Sequence, residues 1–373
     1  MNNSNTTLNA SALVSRGDVT RIQRALAKAR RGEQVRVGVI GGSITEGASA
    51  ATEAERWGNR VAQWWRETFP SARIDFVNAG IGATGSDLGC HRVARHVLQH
   101  PIDFVVAEYA VNDGGIPLAS ETLEGLTRQI LAQPEQPGMM LLFLMNEQGG
   151  NVQAQHEPIG QHYGLPMVSY RDALWPEVQA GRLPWGDIGA DNVHPNSRGH
   201  GYCAEFVISV LADVLATLPA DTEIPPVPPL PAPLISEVFQ FTALHNRETL
   251  CPLRNVGWLP DEMDSRFGPG WQATTPGSTM EFAVEGMAIS LLFYRIKGDR
   301  GMLEAQVDDG DPVTIDAWFE GDWGGYAACQ LLARDLAAGE HRLRVTLLEE
   351  TNANSHGHLF QIQGVLAAGL KME

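Results

Sequence analysis

Val35-Arg36-Val37-Gly38-Val39-Ile40-Gly41-Gly42-Ser43-Ile44-Thr45 is the stretch that decides the fold. A run rich in Val and Ile and bounded by glycines reads as a parallel strand buried on both faces. The ligands of such a sheet sit at the carboxyl ends of its strands. Ser43 stands at that end. The glycines let the chain turn sharply and let a ligand approach main-chain N–H groups. A hydroxyl at such a turn is exposed and can act as a nucleophile once a base reaches it.

Outward from this turn, helix-like and strand-like segments alternate as far as residue 218. Trp57, Val61, Trp64, Trp65 and Phe69 fall at helical spacing and stop at Pro70. Strands are predicted over 74–77, 102–109, 139–145 and 167–170, and helices over 91–98, 123–131, 152–163 and 197–218. Repeated strand-then-helix order with short connections implies a parallel sheet with right-handed crossovers and helices on both faces. The expectation is a three-layer α/β/α, flavodoxin-like domain over residues 1–218, with its core over 35–218.

Residues 219–233 carry seven prolines and can continue neither helix nor sheet; an extended linker is expected. Beyond it, short segments with strand character (280–284, 288–294, 303–307, 313–316, 341–348, 360–365) are separated by turn residues such as Asp308-Asp309-Gly310-Asp311. Residues 234–373 are therefore predicted to form a β-sandwich of jelly-roll type.

Bulk properties narrow the function. The chain has 373 residues, 43% apolar and 19% charged, which is globular composition with room for two cores. A net charge of −17, spread over both halves, argues against a nucleic-acid partner, because phosphate binding needs clustered cations and only Arg24, Lys28, Arg30 and Arg31 lie together. The four cysteines are far apart and form no Cys-x-x-Cys pair, so neither a zinc site nor a disulfide framework is expected. The spacing of His91, His96 and His100 suits a solvated helix face better than a metal. The polar N-terminus and the lack of 18 consecutive apolar residues lead to the expectation of a cytoplasmic protein without a membrane partner. Nucleotide binding is disfavoured too: there is no Gly-x-Gly-x-x-Gly, and Asn78 stands where the acidic residue at the end of the second strand would be.

Asp191-Asn192-Val193-His194-Pro195 precedes the last helix. A carboxylate three residues before an imidazole can bend back within one loop turn and accept Nδ1–H, leaving Nε2 to take a proton from a hydroxyl. Taken alone, Asp191 could equally cap a turn and His194 pack beside Pro195. Asn78-Ala79-Gly80-Ile81-Gly82-Ala83-Thr84-Gly85 and Tyr109-Ala110-Val111-Asn112-Asp113 follow the second and third strands, which brings both to the edge where Ser43 lies. A main-chain N–H from the first loop, the Asn112 amide and the N–H of Ser43 could surround an oxyanion.

This ordered set resembles the SGNH, or GDSL-type, hydrolase superfamily over residues 35 to about 218. Ser43 matches the nucleophile block in a Gly-Gly-Ser-Ile-Thr variant, and Asp191 and His194 match the Asp-x-x-His block in full. Asn112 keeps the amide of the Gly-x-Asn-Asp block, although Ala110 replaces its glycine. Ala83 occupies the place of the second block's N–H donor, with Gly82 before it. The resemblance implies a carboxylic ester hydrolase that forms an acyl-enzyme on Ser43, with His194 as base, Asp191 orienting it, and Ser43, Ala83 and Asn112 as the oxyanion hole; no cofactor or metal is implied. Asp113 could bond loop backbone, the favoured reading, or touch substrate, as could Gly82.

Trp318-Phe319-Glu320-Gly321-Asp322-Trp323-Gly324-Gly325-Tyr326 clusters aromatics with acids and glycines. Trp318, Trp323 and Tyr326 could stack on sugar rings; the alternative is a patch that docks this domain on the hydrolase. SGNH hydrolases with an attached β-sandwich are similar to carbohydrate esterases. The expected substrate is therefore an acetylated xylo- or manno-oligosaccharide. A general short-chain carboxylesterase or arylesterase acting on small acyl esters, and a non-catalytic carbohydrate-binding protein, are the alternatives. Homo-oligomerisation is compatible with the exposed aromatics.

Overall fold

The computed structural model describes residues 3–218 and 224–371. The chain divides into two compact units, one running through Ser236 and the other from Glu237 onward, with which residues 90–92 group.

In the first unit, β1 (Leu13–Ser15), β2 (Val35–Gly41), β3 (Ile74–Gly80), β4 (Phe104–Glu108), β5 (Gly138–Phe143) and β6 (Met167–Ser169) form one sheet in the order β1-β6-β5-β4-β2-β3. All pairings from β2 to β6 are parallel. The expected all-parallel sheet is corrected at one edge, where β1 runs antiparallel to β6. Three residues are too few to display a period, so this strand leaves no mark in the sequence.

Alternate residues of a strand point to opposite faces. Val35, Val37, Val39, Phe104, Val106, Met140 and Leu142 share one core with residues of the helices Thr20–Arg30, Trp57–Thr68 and Ser197–Thr217, among them Ile22, Leu26, Trp57, Trp65, Phe206 and Val207. Val105, Ala107, Met139 and Leu141, of the other parity, are buried as well, which requires a second layer on the opposite face. Helices Pro117–Leu131 and Gln153–His162 belong to it. The helix Ser197–Thr217 is long and apolar enough by composition to cross a membrane, but half of that window is buried, as its place in this core explains.

The strand order positions the site. From β2 the chain winds outward to β3, then returns across to β4 on the other side of β2. The crevice outside the carboxyl ends of β2 and β4 is thus the topological switch point, where open α/β sheets bind ligands.

The second unit is a sandwich of two antiparallel sheets. One orders Tyr326–Ala333, Ala288–Arg295, Phe360–Ala368, Trp271–Ala273 and Leu259–Pro260, with Thr242–His245 also on Phe360–Ala368. The other orders Val313–Asp316, Met302–Val307, Glu340–Leu347, Thr279–Glu285 and Arg254–Val256. Ile289, Leu291, Phe360 and Ile362 from one sheet and Phe282, Leu303, Leu343 and Val345 from the other fill a common core. The expected strands are all present. The periodicity misses five more, including Arg254–Val256, whose three residues are exposed, and Tyr326–Ala333, none of whose residues is fully buried.

The expected extended linker covers the proline-rich stretch, residues 219–233. Of it, residues 219–223 lie outside the described residues. Its later part is fastened to the first unit: Arg128 donates to the Pro231 carbonyl (2.8 Å), and His162 Nε2 lies 2.8 Å from the Ala232 carbonyl. Glu124, fully buried, accepts the main-chain N–H groups of Leu234, Ile235 and Ser236 (2.5, 2.8 and 2.9 Å) and the Tyr163 hydroxyl (2.6 Å). The first unit accordingly extends three residues beyond the linker end expected at 233. Burial raises the Glu124 pKa, but these four donors outweigh it and the net shift is downward. A buried carboxylate so satisfied is costly to remove, since its donors are then left unpaired. Glu124→Ala is expected to destabilise the first unit by about 2–4 kcal/mol and to open residues 224–236 to cleavage, which urea unfolding and limited proteolysis with mass mapping will show.

Candidate active site

Ser43 begins a single helical turn, Ser43–Glu46, directly after β2. Gly42, in extended backbone, has no Cβ because one there would collide with the Asn112 side-chain amide. Gly80, at the end of β3, likewise gives way to the main chain of Glu46. Asn78 ties these turns together: its Nδ2 donates to the Thr45 carbonyl (2.9 Å) and its Oδ1 accepts Gly80 N–H (2.8 Å). Ile81 N–H reaches the Gly41 carbonyl (3.1 Å), carrying the β2/β3 pairing into the loops.

His194 arrives from the far end of the unit. The loop ahead of the last helix is folded by Ala190 N–H on the His194 carbonyl (2.9 Å), by Trp185 Nε1–H on the Asp191 carbonyl (2.7 Å) and by Glu147 N–H on the Asn192 carbonyl (2.8 Å). Asn196 then caps the helix, accepting Arg198 and Gly199 N–H (3.0 and 3.1 Å). Within the loop, Asp191 Oδ1 accepts the N–H groups of Val193 and His194 (2.8 and 2.7 Å), and Oδ2 lies 2.7 Å from His194 Nδ1. His194 Nε2 lies 2.8 Å from Ser43 Oγ. Burial acts to raise the Asp191 pKa, but the bonds from His194 and Val193 prevail and lower it. The carboxylate is thereby kept anionic next to the imidazole. This arrangement can take the proton from Ser43 and stabilise the imidazolium that results.

Three donors at this edge have no acceptor among the described residues: the main-chain N–H groups of Ser43 and Ala83 and the side-chain amide of Asn112. Ala83 sits at φ 56°, in the left-handed region. Unmatched donors at the mouth of a crevice are available to a ligand oxygen.

The structure thus brings Ser43, His194, Asp191, Ala83 and Asn112 to one strand-end edge. Two residues offered as substrate contacts are held within the protein instead, Asp113 in its favoured role of bonding loop backbone. Gly82 N–H is already engaged, donating to Glu46 Oε2 (2.9 Å). Asp113 is not a surface for substrate: its side chain is 2% exposed, Oδ1 accepts Ser86 N–H (2.6 Å) and Oδ2 lies 3.0 Å from His156 Nε2. In the second unit, Trp323 (62% exposed) and Tyr326 form a ring cluster with Phe319, at centroid distances of 5.0 to 5.4 Å. Arg295 underlies it, donating to Tyr326 Oη (3.3 Å) and to the Trp318 carbonyl (3.1 Å). Trp318 itself is half-buried, with its Nε1–H enclosed and unpartnered. Among the described residues, no group of three His, Cys, Asp or Glu side chains is placed to hold a metal.

Residues 39–202 match the GDSL-like Lipase/Acylhydrolase family. No curated protein sequence matches the chain. Among solved structures, it is similar over both units to a two-domain esterase active on acetylated mannans: 29% identity, 98% of this chain and 99% of that one covered, TM-score 0.88. The same esterase co-crystallised with mannopentaose gives 29% identity, the same coverage and TM-score 0.89. The GDSL-like domain is a carboxylic ester hydrolase.

Sequence reading missed one titratable group beneath the nucleophile. Glu108, at the end of β4 and fully buried, accepts the Thr45 hydroxyl at 3.0 Å through Oε2, while Oε1 has no partner. Burial pushes its pKa up to about 7; Thr45 opposes the shift and Asp113 adds to it. An unfolded glutamic acid ionises first as the pH rises. The stabilisation from keeping Glu108 neutral is therefore complete below about pH 4.5 and is lost between 4.5 and 7, a change of about 3 kcal/mol. Urea unfolding across this window is expected to show that loss in the wild type, with Glu108→Gln lacking it and more stable at pH 8.

Proposed function

We propose that the GDSL-like domain removes acetyl groups from carbohydrates, manno-oligosaccharides foremost, through an acyl-enzyme on Ser43. The observation that carries the reading is the unbroken relay from Asp191 through His194 to Ser43, at 2.7 and 2.8 Å, with three unmatched donors at the same edge.

Ser43 Oγ attacks the acetyl carbonyl carbon as its proton passes to His194 Nε2. The carbonyl oxygen becomes an oxyanion, which the N–H groups of Ser43 and Ala83 and the Asn112 amide stabilise; each such donor is typically worth about 3 kcal/mol. As the tetrahedral intermediate collapses, the sugar oxygen leaves with the proton from His194, and the acetyl group stays on Ser43. Water, deprotonated by His194, then releases acetate and restores the serine.

The sugar class rests on the likeness to the acetylated-mannan esterase, which extends through both units. The Phe319, Trp323 and Tyr326 cluster, in which Trp323 is exposed and the other two rings are half-buried, supports it as a platform for the apolar faces of sugar rings.

Released acetate, measured with acetylated manno-oligosaccharides, acetylated xylo-oligosaccharides and nitrophenyl acetate, tests the proposal. Acetylated manno-oligosaccharides are expected to turn over best. Ser43→Ala should lose at least about 10³-fold in kcat and Asn112→Ala about 10²-fold. Turnover of nitrophenyl acetate alone would reassign the domain to general carboxylesterases, and turnover of no ester would overturn the reading. Calorimetric titration with mannopentaose is expected to weaken several-fold in Trp323→Ala.

A further inference from the structure

The loop 81–86 supplies one donor, Ala83 N–H, and is held on both sides of it. Thr84 Oγ donates to the Ile81 carbonyl (2.8 Å), and Ser86 N–H is fixed by Asp113, itself backed by His156. On the near side the holder is Glu46. It lies three residues after Ser43, at the end of the same helical turn, and its Oε2 takes Gly82 N–H at 2.9 Å. The N–H groups of Gly82 and Ala83 are adjacent in this loop. Glu46 engages the first and leaves the second unmatched.

A carboxylate is an odd choice so near a place where negative charge develops, since like charges repel. Its reach explains it. The main chain of Glu46 is locked by its N–H on the Gly42 carbonyl (3.0 Å), so the carboxylate measures its distance from the same turn that carries the nucleophile.

We infer that Glu46 is a positioning residue for ester hydrolysis: by accepting Gly82 N–H it sets the Ala83 N–H relative to Ser43, and the acceptor oxygen, not the charge, does this. The inference rests on the oxyanion hole of the proposed function.

Two substitutions separate reach from charge. Glu46→Gln keeps an acceptor oxygen at the same length without the charge; Glu46→Asp keeps the charge and withdraws the oxygen by one methylene. With nitrophenyl acetate, Glu46→Gln is expected to keep kcat within about threefold of wild type. Glu46→Asp should lose about 10- to 100-fold in kcat, with KM changed by less than about threefold, because a donor displaced by about 1 Å costs that much. Inhibition by an alkylboronic acid, whose tetrahedral adduct on Ser43 places an oxygen in the hole, should weaken in Glu46→Asp in parallel with kcat. Equal kcat in both variants, or Glu46→Asp more active than Glu46→Gln, overturns the inference. Ser43→Ala is the control: if it retains turnover, the proposed function itself fails, whereas its loss alongside an unaffected Glu46→Asp removes only the role of Glu46.

Discussion

The hydrogen bond between Ser43 Oγ and His194 Nε2 joins points 151 residues apart, and the first unit is organised so that it can form. Neither side chain can find the other locally. Ser43 is fixed because β2 is central in the sheet, paired with β3 on one side and β4 on the other, so its carboxyl end cannot shift without breaking two ladders. His194 is fixed through the last helix, whose apolar residues enter the same core as those of β2. His200, six residues further, adds a second tie: its Nε2 lies 3.0 Å from the Ala48 carbonyl and its Nδ1 takes Trp57 N–H at 3.3 Å. Burial lowers the His200 pKa, and a neutral ring with Nε2–H donating satisfies both contacts.

The carboxylates around this bond are set apart by their surroundings. Asp191 is half exposed and bonded by two N–H groups and an imidazole, conditions that favour the anion. Glu108, one strand away and sealed from water with a single hydroxyl partner, is driven toward the neutral acid. An ionised group at Glu108 would oppose the charge that develops on the ester oxygen, so its burial has a chemical consequence as well as a cost in stability. Asp113 is buried too but faces a histidine and a main-chain N–H, and it braces the loop that bears Asn112. One functional group, the carboxyl, thus serves as charge, neutral acid and strut according to environment.

What was legible in the sequence follows from the range of each interaction. Strands β2, β4 and β5 announce themselves because burial on both faces demands continuous apolar runs. The Asp191 to His194 contact spans three residues and is readable as a loop motif. Ser43, Ala83 and Asn112 could be assigned to one edge because strand ends are ordered by topology, and their resemblance to a known family supplied the roles. The pairing of Glu46 with Gly82, of Asp113 with His156, and of Glu124 with residues 234–236 joins segments 36, 43 and more than 100 residues apart through single polar groups. No periodicity encodes such a contact.

The fastening of the proline-rich stretch shows the same limit from the other side. Composition describes what the backbone of residues 219–233 cannot do, which is to enter a helix or a sheet, and residues 224–233 indeed belong to neither. Outside helix and sheet, however, the carbonyls of residues 224–233 stay available to other donors. Arg128, whose guanidinium also reaches the Tyr163 hydroxyl at 3.0 Å, takes the Pro231 carbonyl. The first residues past the prolines regain their N–H groups, and Glu124 collects three of them in succession. A chain that is locally free of regular structure is thereby tied to the first unit up to Ser236 by Glu124 and Arg128 of the helix Pro117–Leu131 and by His162 of the helix Gln153–His162.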